Sequence, residues 1–99
     1  VEVDLQLSAQ TPPDVLYHGT AAHIAPHVWR DGLQKMRRHH VHLSRDIQTA
    51  RKVGARHGKP LVFEVDAKTM SAEGFEFFVS DNGVWLTDEV PPQYLKATS

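Results

Sequence analysis

Residues 46–65 read DIQTARKVGARHGKPLVFEV, a helix followed directly by a strand. Ile47, Ala50, Val53 and Gly54 recur at helical spacing between Asp46 and His57, which gives one apolar stripe. Gly58-Lys59-Pro60 stops the helix, because glycine accepts the left-handed turn of a helix end and proline cannot continue the hydrogen-bond ladder. Leu61 to Val65 is then apolar and β-branched enough for a buried strand. Helix and strand in succession within so short a chain predict a mixed α+β domain.

The flanking segments extend that pattern. Toward the N-terminus, Val41 to Ser44 predicts a short strand, and Gly32 ends a helix whose regular part begins near Ala25, since Pro26 is tolerated only in a first turn. Val15-Leu16-Tyr17 predicts a strand ending at His18-Gly19-Thr20, with Thr20 as cap of the helical segment that follows. Residues 3–7, VDLQL, alternate apolar and polar side chains and predict a further strand, broken by Thr11-Pro12-Pro13-Asp14. Toward the C-terminus, Asp66 caps a short helix through Met70 that Gly74 ends. Phe75 to Val79 and Val84 to Leu86 flank Ser80-Asp81-Asn82-Gly83, where Asn-Gly supplies the positive φ of a hairpin turn. Val90-Pro91-Pro92 then turns the chain into a closing edge strand. The expected sum is six or seven short strands with two or three helices.

Composition bounds the function. A chain of 99 residues is one small domain. It has no cysteine, which excludes disulfides and thiolate zinc sites and makes a reducing cytoplasm the expected location. No segment approaches the length of a membrane span, so no membrane partner is expected. Eleven basic side chains nearly balance twelve acidic ones, but unevenly. Between Arg30 and Lys59 lie Lys35, Arg37, Arg38, Arg45, Arg51, Lys52 and Arg56 against only Asp31 and Asp46. Such a stretch is either a solvated face or a surface for a phosphate-rich ligand.

Several chemistries fail on spacing. His23 and His27 lack the intervening glutamate of a metalloprotease helix and share their segment with Pro26, while His40 and His42 are two ligands where a tetrahedral site needs more. No metal is expected. Ser44 and Thr20 each follow a histidine by two residues, yet no G-x-S-x-G elbow is present, which argues against a hydrolase. Gly54 to Gly58 closes a helix where a phosphate loop would open one, so neither a P-loop nor a dinucleotide fingerprint can be built.

Four segments remain: Leu16-Tyr17-His18-Gly19-Thr20, Gly32-Leu33, Arg38-His39-His40-Val41-His42-Leu43-Ser44 and Asn82-Gly83-Val84-Trp85-Leu86-Thr87. Singly, each has an ordinary explanation, and Trp85 is expected in the core. In this order, over roughly residues 12–95, they resemble the RNA 2'-phosphotransferase family. The resemblance implies an ADP-ribosyltransferase-like lobe of two small packed β-sheets that holds NAD in a cleft. It implies that residues 1–99 are the C-terminal NAD-binding lobe, without the family's N-terminal winged-helix lobe.

The family's sorting triad, often written His-Tyr-Glu, falls by resemblance on His18, His42 and Val84. His18 is expected to bond a ribose hydroxyl and His42 to face the nicotinamide. Val84 can neither orient a hydroxyl nor act as a base, so protein modification of the toxin kind is not expected. Gly19 is expected to let a ligand reach the backbone, Thr20 to offer a hydroxyl, and Gly32 and Leu33 to contact adenine. Ser44, two residues from His42, and Asn82 complete the expected NAD contacts. Arg38 matches an arginine of the cluster that grips the RNA 2'-phosphate, where a guanidinium forks onto two oxygens.

In the implied reaction, the 2'-phosphate at a tRNA splice junction attacks the ribosyl carbon of NAD and expels nicotinamide. The ribose 2''-hydroxyl then takes the phosphate, leaving RNA with a 2'-hydroxyl and ADP-ribose cyclic phosphate. With the other cluster members on the winged-helix lobe, this segment alone is expected to bind NAD but to turn over little RNA. The competing readings are a stand-alone NAD or ADP-ribose binding module, a nucleic-acid ADP-ribosyltransferase, and a structural domain whose basic stretch contacts RNA.

Overall fold

A computed structural model describes residues 9–34, 40–56 and 58–98 of the chain. The strand expected over residues 3–7, and Arg38, lie outside the described residues. The secondary structure runs β1 (Leu16–Ala21), α1 (Ala25–Asp31), β2 (Leu33–Gln34), β3 (Val41–Leu43), α2 (Ile47–Ala55), β4 (Pro60–Val65) and α3 (Ala67–Ala72). It continues with β5 (Phe78–Val79), β6 (Trp85–Thr87), β7 (Glu89–Val90) and β8 (Leu95–Thr98), and short 3-10 turns span Ala22–Ile24 and Pro92–Tyr94. The domain is α+β with small antiparallel sheets, in the orders β1-β4-β8, β3-β6-β5 and β2-β7. The β2–β7 pair was not legible in the sequence, since two-residue strands leave no periodicity to read.

Four helix boundaries follow from local chemistry. Pro26 sits in the first turn of α1, and Gly32, at φ 79°, ends it. Asp46 caps α2 by accepting from the Thr49 amide at 2.7 Å, and Asp66 does the same for α3 through Thr69. Thr20, however, caps nothing. It remains inside β1, opposite Leu61, and the 3-10 turn after it, Ala22–Ile24, follows Ala21 without a side-chain cap. Pairing with β4 extends β1 four residues beyond Tyr17, through the expected turn to Ala21, because each rung satisfies main-chain groups that a turn would leave to solvent.

The two faces of β1 do different jobs. Leu16 and His18 pair with Val65 and Phe63 and share one face with them. That face carries the core: Leu16, Phe63 and Val65 pack with Val28 of α1, Leu33 of β2, Val41 and Leu43 of β3, Phe77 just before β5, and Trp85 of β6. Trp29 of α1 meets Phe63 edge-on at 5.1 Å. The other face, bearing Tyr17, Gly19 and Ala21, is covered by α2.

The contact with α2 is unusually close. A Cβ on Gly19 would lie 1.6 Å from the Ala50 carbonyl oxygen, and one on Gly54 would lie 2.6 Å from that of Thr20. Of the apolar stripe expected on α2, Ala50 and Gly54 are buried while Val53 is 36% exposed. The helix docks through its smallest residues, because only they bring its backbone down onto the strand.

Gly54→Ala decides between two opposing effects. Helix propensity favours alanine by about 0.8–1.0 kcal/mol, whereas forcing a methyl into backbone costs about 1–3 kcal/mol or more. The clash should win, and urea unfolding should show the variant less stable; a stabilised variant would refute this packing. A second expectation concerns pH. The Thr49 amide, and then its hydroxyl, hold the Asp46 carboxyl below its ordinary value of 3.8. A carboxyl depressed in the folded state stabilises above its unfolded pKa, and that stabilisation is lost as pH falls through the folded value. Asp46→Ala should therefore unfold at lower urea than wild type at pH 7, and the two midpoints should converge as the solution is taken well below pH 3.8.

Candidate functional site

Two hydrogen bonds join the edges of the two three-stranded sheets. The Tyr17 amide donates to the Ser44 carbonyl at 2.8 Å, and the Ser44 amide donates to the Tyr17 carbonyl at 2.7 Å. In an antiparallel ladder the next such rung would join Gly19 to His42. Among the described residues that rung is not made. The His42 carbonyl accepts instead from His18 Nδ1 at 2.9 Å. A side chain thus replaces a main-chain rung, and β1 parts from β3 at that point.

The consequence falls on Gly19. Tyr17 turns its amide and carbonyl toward β3, so two residues on Gly19 turns its own pair to the same side, away from β4. Its amide donor and carbonyl acceptor therefore face the side on which the ladder to β3 has stopped. The missing side chain of Gly19 makes room for α2.

On the core-side face, His18 and Thr20 form one wall of a cleft of about 500 Å³. Ile24, His27, Val28 and Asp31 form the opposite wall, and Gly32, Leu33 and Gln34 its end. Four of the predicted residues, His18, Thr20, Gly32 and Leu33, therefore come together. Gly32 is glycine for a packing reason as well, since a Cβ there would meet the Val90 carbonyl oxygen at 2.2 Å. His27 and Asp31 were missed, although Ile24, His27, Val28 and Asp31 recur at one-face helical spacing that would have found them. Asp31 also pairs with Arg30 at 3.2 Å on the exposed rim.

The remaining predicted residues lie elsewhere. His42 contributes its carbonyl, while its side chain is exposed on the face of β3 opposite Val41 and Leu43. Ser44 is half-buried at the bridge. Val84 precedes β6, and the register Leu43 opposite Trp85 continues to place it across from Ser44. Tyr17, Ser44 and Val84 thus follow one another across the sheet edge. Asn82 is exposed at the tip of a hairpin closed by the Ser80 amide on the Val84 carbonyl, and Gly83, at φ 81°, makes the turn. Trp85 is core, as expected, at 8% exposure.

This arrangement belongs to a known class. A profile of the RNA 2'-phosphotransferase, Tpt1 / KptA family matches residues 1–89, and the chain belongs to that enzyme family. Proteins named as probable RNA 2'-phosphotransferases are close to it in sequence. That of Trichormus variabilis is 62% identical over 95 residues, covering 96% of this chain and 52% of that protein. That of Nostoc punctiforme is 59% identical over 96 residues, 97% of this chain and 53% of that protein. That of Hahella chejuensis is 56% identical over 95 residues, 96% of this chain and 51% of that protein. The chain spans about half the length of these curated relatives. Among the described residues no helix is long and apolar enough to cross a membrane.

The His18 bond has a testable signature. A carbonyl only accepts, so Nδ1 must carry a proton, and in the neutral ring Nε2 is then the acceptor. Long-range proton–nitrogen correlation spectra at pH 8 should show His18 as the Nδ1-protonated tautomer. The commoner Nε2-protonated form would contradict the bond to His42.

Proposed function

We propose that this chain is the NAD-binding lobe of an NAD-dependent RNA 2'-phosphotransferase, built as an ADP-ribosyltransferase-like lobe. The observation that supports the reading is the opened rung at Gly19. A carboxamide carries one N–H donor and one carbonyl acceptor at fixed separation, and the Gly19 carbonyl and amide complement it. A strand edge left unpaired otherwise costs stability, because each main-chain group needs a partner.

The other residues fit the same ligand. His18 Nε2, as acceptor, suits a ribose hydroxyl next to the carboxamide, and the Thr20 hydroxyl lies on the same wall. At the far end the Asp31 carboxylate suits a second ribose diol, with Gly32 and Leu33 beside it for the adenine. A volume of about 500 Å³ falls within the range of small-molecule sites, ~300–1,000 Å³. When bound, NAD supplies a ribosyl carbon bearing a leaving group that is already cationic.

What this chain then does is position and neutralise. Gly19 and His18 hold the nicotinamide riboside against β1, and Arg38 draws in the 2'-phosphate of an RNA such as a tRNA splice junction. Val84, at the place of a glutamate, offers no base toward protein acceptors. The outcome is RNA with a 2'-hydroxyl, and ADP-ribose cyclic phosphate. The remaining half of the relatives' length is assigned the other phosphate-gripping cations, so this segment alone turns over little RNA. Its setting is the cytoplasm.

Titrating the chain with NAD should shift the amides of His18, Gly19, Thr20, Gly32 and Leu33 with Kd of about 0.1–1 mM, or roughly −4 to −5.5 kcal/mol. Nicotinamide alone should shift Gly19 but not Gly32 or Leu33. No NAD-dependent shift at several millimolar sinks the reading. In a protein of the relatives' full length, Arg38→Ala should lower turnover of 2'-phosphorylated RNA by about two orders of magnitude while NAD affinity stays within about threefold. Arg38→Lys should restore little, since a point charge does not reproduce the guanidinium fork.

A further inference from the structure

The outward face of α2 is basic, and nothing in the described cleft uses it. With 3.6 residues per turn, Lys52 and Arg56 fall opposite Ala50 and Gly54, the residues that press onto β1. Arg45 lies just before the helix, and all three side chains are exposed. Asp46 is the only acidic residue between Arg45 and Pro60, and its carboxylate is committed to the Thr49 amide, with Lys52 adding a weaker pull. Among the described residues neither Arg45, Lys52 nor Arg56 forms an ion pair within 4 Å.

The direction of α2 gives this charge a place. Arg45 follows Ser44, whose bridge to Tyr17 marks where β1 and β3 part. From there the helix runs alongside β1, with Ala50 over Gly19 and Gly54 over Thr20. Ile47 to Arg56 spans about 14 Å at 1.5 Å per residue, and Lys52 and Arg56 are one turn, about 6 Å, apart. The row of cations therefore begins beside the opening and leads away from it over the outside of the lobe.

We propose that Arg45, Lys52 and Arg56 form a track for the sugar-phosphate backbone of RNA that extends from the nucleotide held at the cleft. The proposal rests on the reading of this chain as the NAD-binding lobe of an RNA 2'-phosphotransferase. Contacts of this kind carry no base specificity and act by releasing counterions, so they serve an enzyme that must accept a modified nucleotide in varied sequence. They lengthen the RNA footprint beyond the reacting phosphate. A short substrate gains nothing from them.

The test uses binding of a labelled 20-nucleotide single-stranded RNA to this chain across a series of salt concentrations. Lys52→Gln/Arg56→Gln is compared with Lys68→Gln/Lys96→Gln, which makes the same change in net charge on exposed residues of α3 and β8. The α2 variant should bind about tenfold more weakly and lose about 1.4 from the slope of log K against log salt, at ~0.7 per contact on a single strand. The control variant should match wild type, and NAD-induced shifts should be unchanged in both. Equal losses in the two variants would show net charge acting alone and overturn the track, as would an unchanged slope in the α2 variant. Loss of RNA binding in the α2 variant, with no NAD binding by the wild-type chain, would leave the track standing and remove the reading of the cleft. Normal NAD binding with an unaltered RNA slope would do the reverse.

Discussion

The exchange of one main-chain rung for a side-chain bond governs the rest of this lobe. Had Gly19 paired with His42, β1 and β3 would have zipped into one continuous sheet, and no opening would exist between them. His18 prevents this by taking the His42 carbonyl through Nδ1. The Tyr17–Ser44 rung immediately before keeps the two sheets joined. The ladder between the two sheets therefore stops at that bridge, and the next residue whose main chain faces β3 is a glycine without a side chain there.

Rigidity at that point comes from the other face of β1. Gly19 and Gly54 let α2 approach until carbonyl and strand backbone are in contact, so the strand that carries His18 and Thr20 is clamped from behind. On its front face Leu16 and the neighbouring Phe63 are fully buried in the core. Preorganised main-chain donors and acceptors need no reorganisation when a ligand arrives, so a strand clamped in this way suits the proposed NAD site. On the other side of α2, Lys52 and Arg56 are exposed among the described residues.

Local chemistry was readable without the fold wherever one residue type had one physical use. Pro26 and Gly32 bounded α1, Asp46 and Asp66 capped α2 and α3, and Gly83 turned the β5–β6 hairpin. The failures share a cause. Thr20 has the right type for a cap, but partners in β4 held it in a strand, and β2 and β7 exist only because each finds the other. His27 and Asp31 had a helical spacing that pointed at one face, yet that face acquires meaning only once β1 lies across from it.

For the site, the motif segments alone brought His18, Gly19, Thr20, Gly32, Leu33, His42 and Ser44 into consideration and tied them to one family. That much is a property of residue types in order, since the identities of short glycine-, histidine- and arginine-bearing segments do not depend on where the chain travels. What each residue contributes was decided by tertiary structure. Gly19 is a glycine because a helix presses on it, and Gly32 because the Val90 carbonyl lies where its side chain would be. His42 offers its carbonyl to His18 while its ring turns outward. Sequence specifies which groups are present; whether a group faces a helix, a neighbouring strand or an open cleft depends on partners distant along the chain, and only folding brings those together.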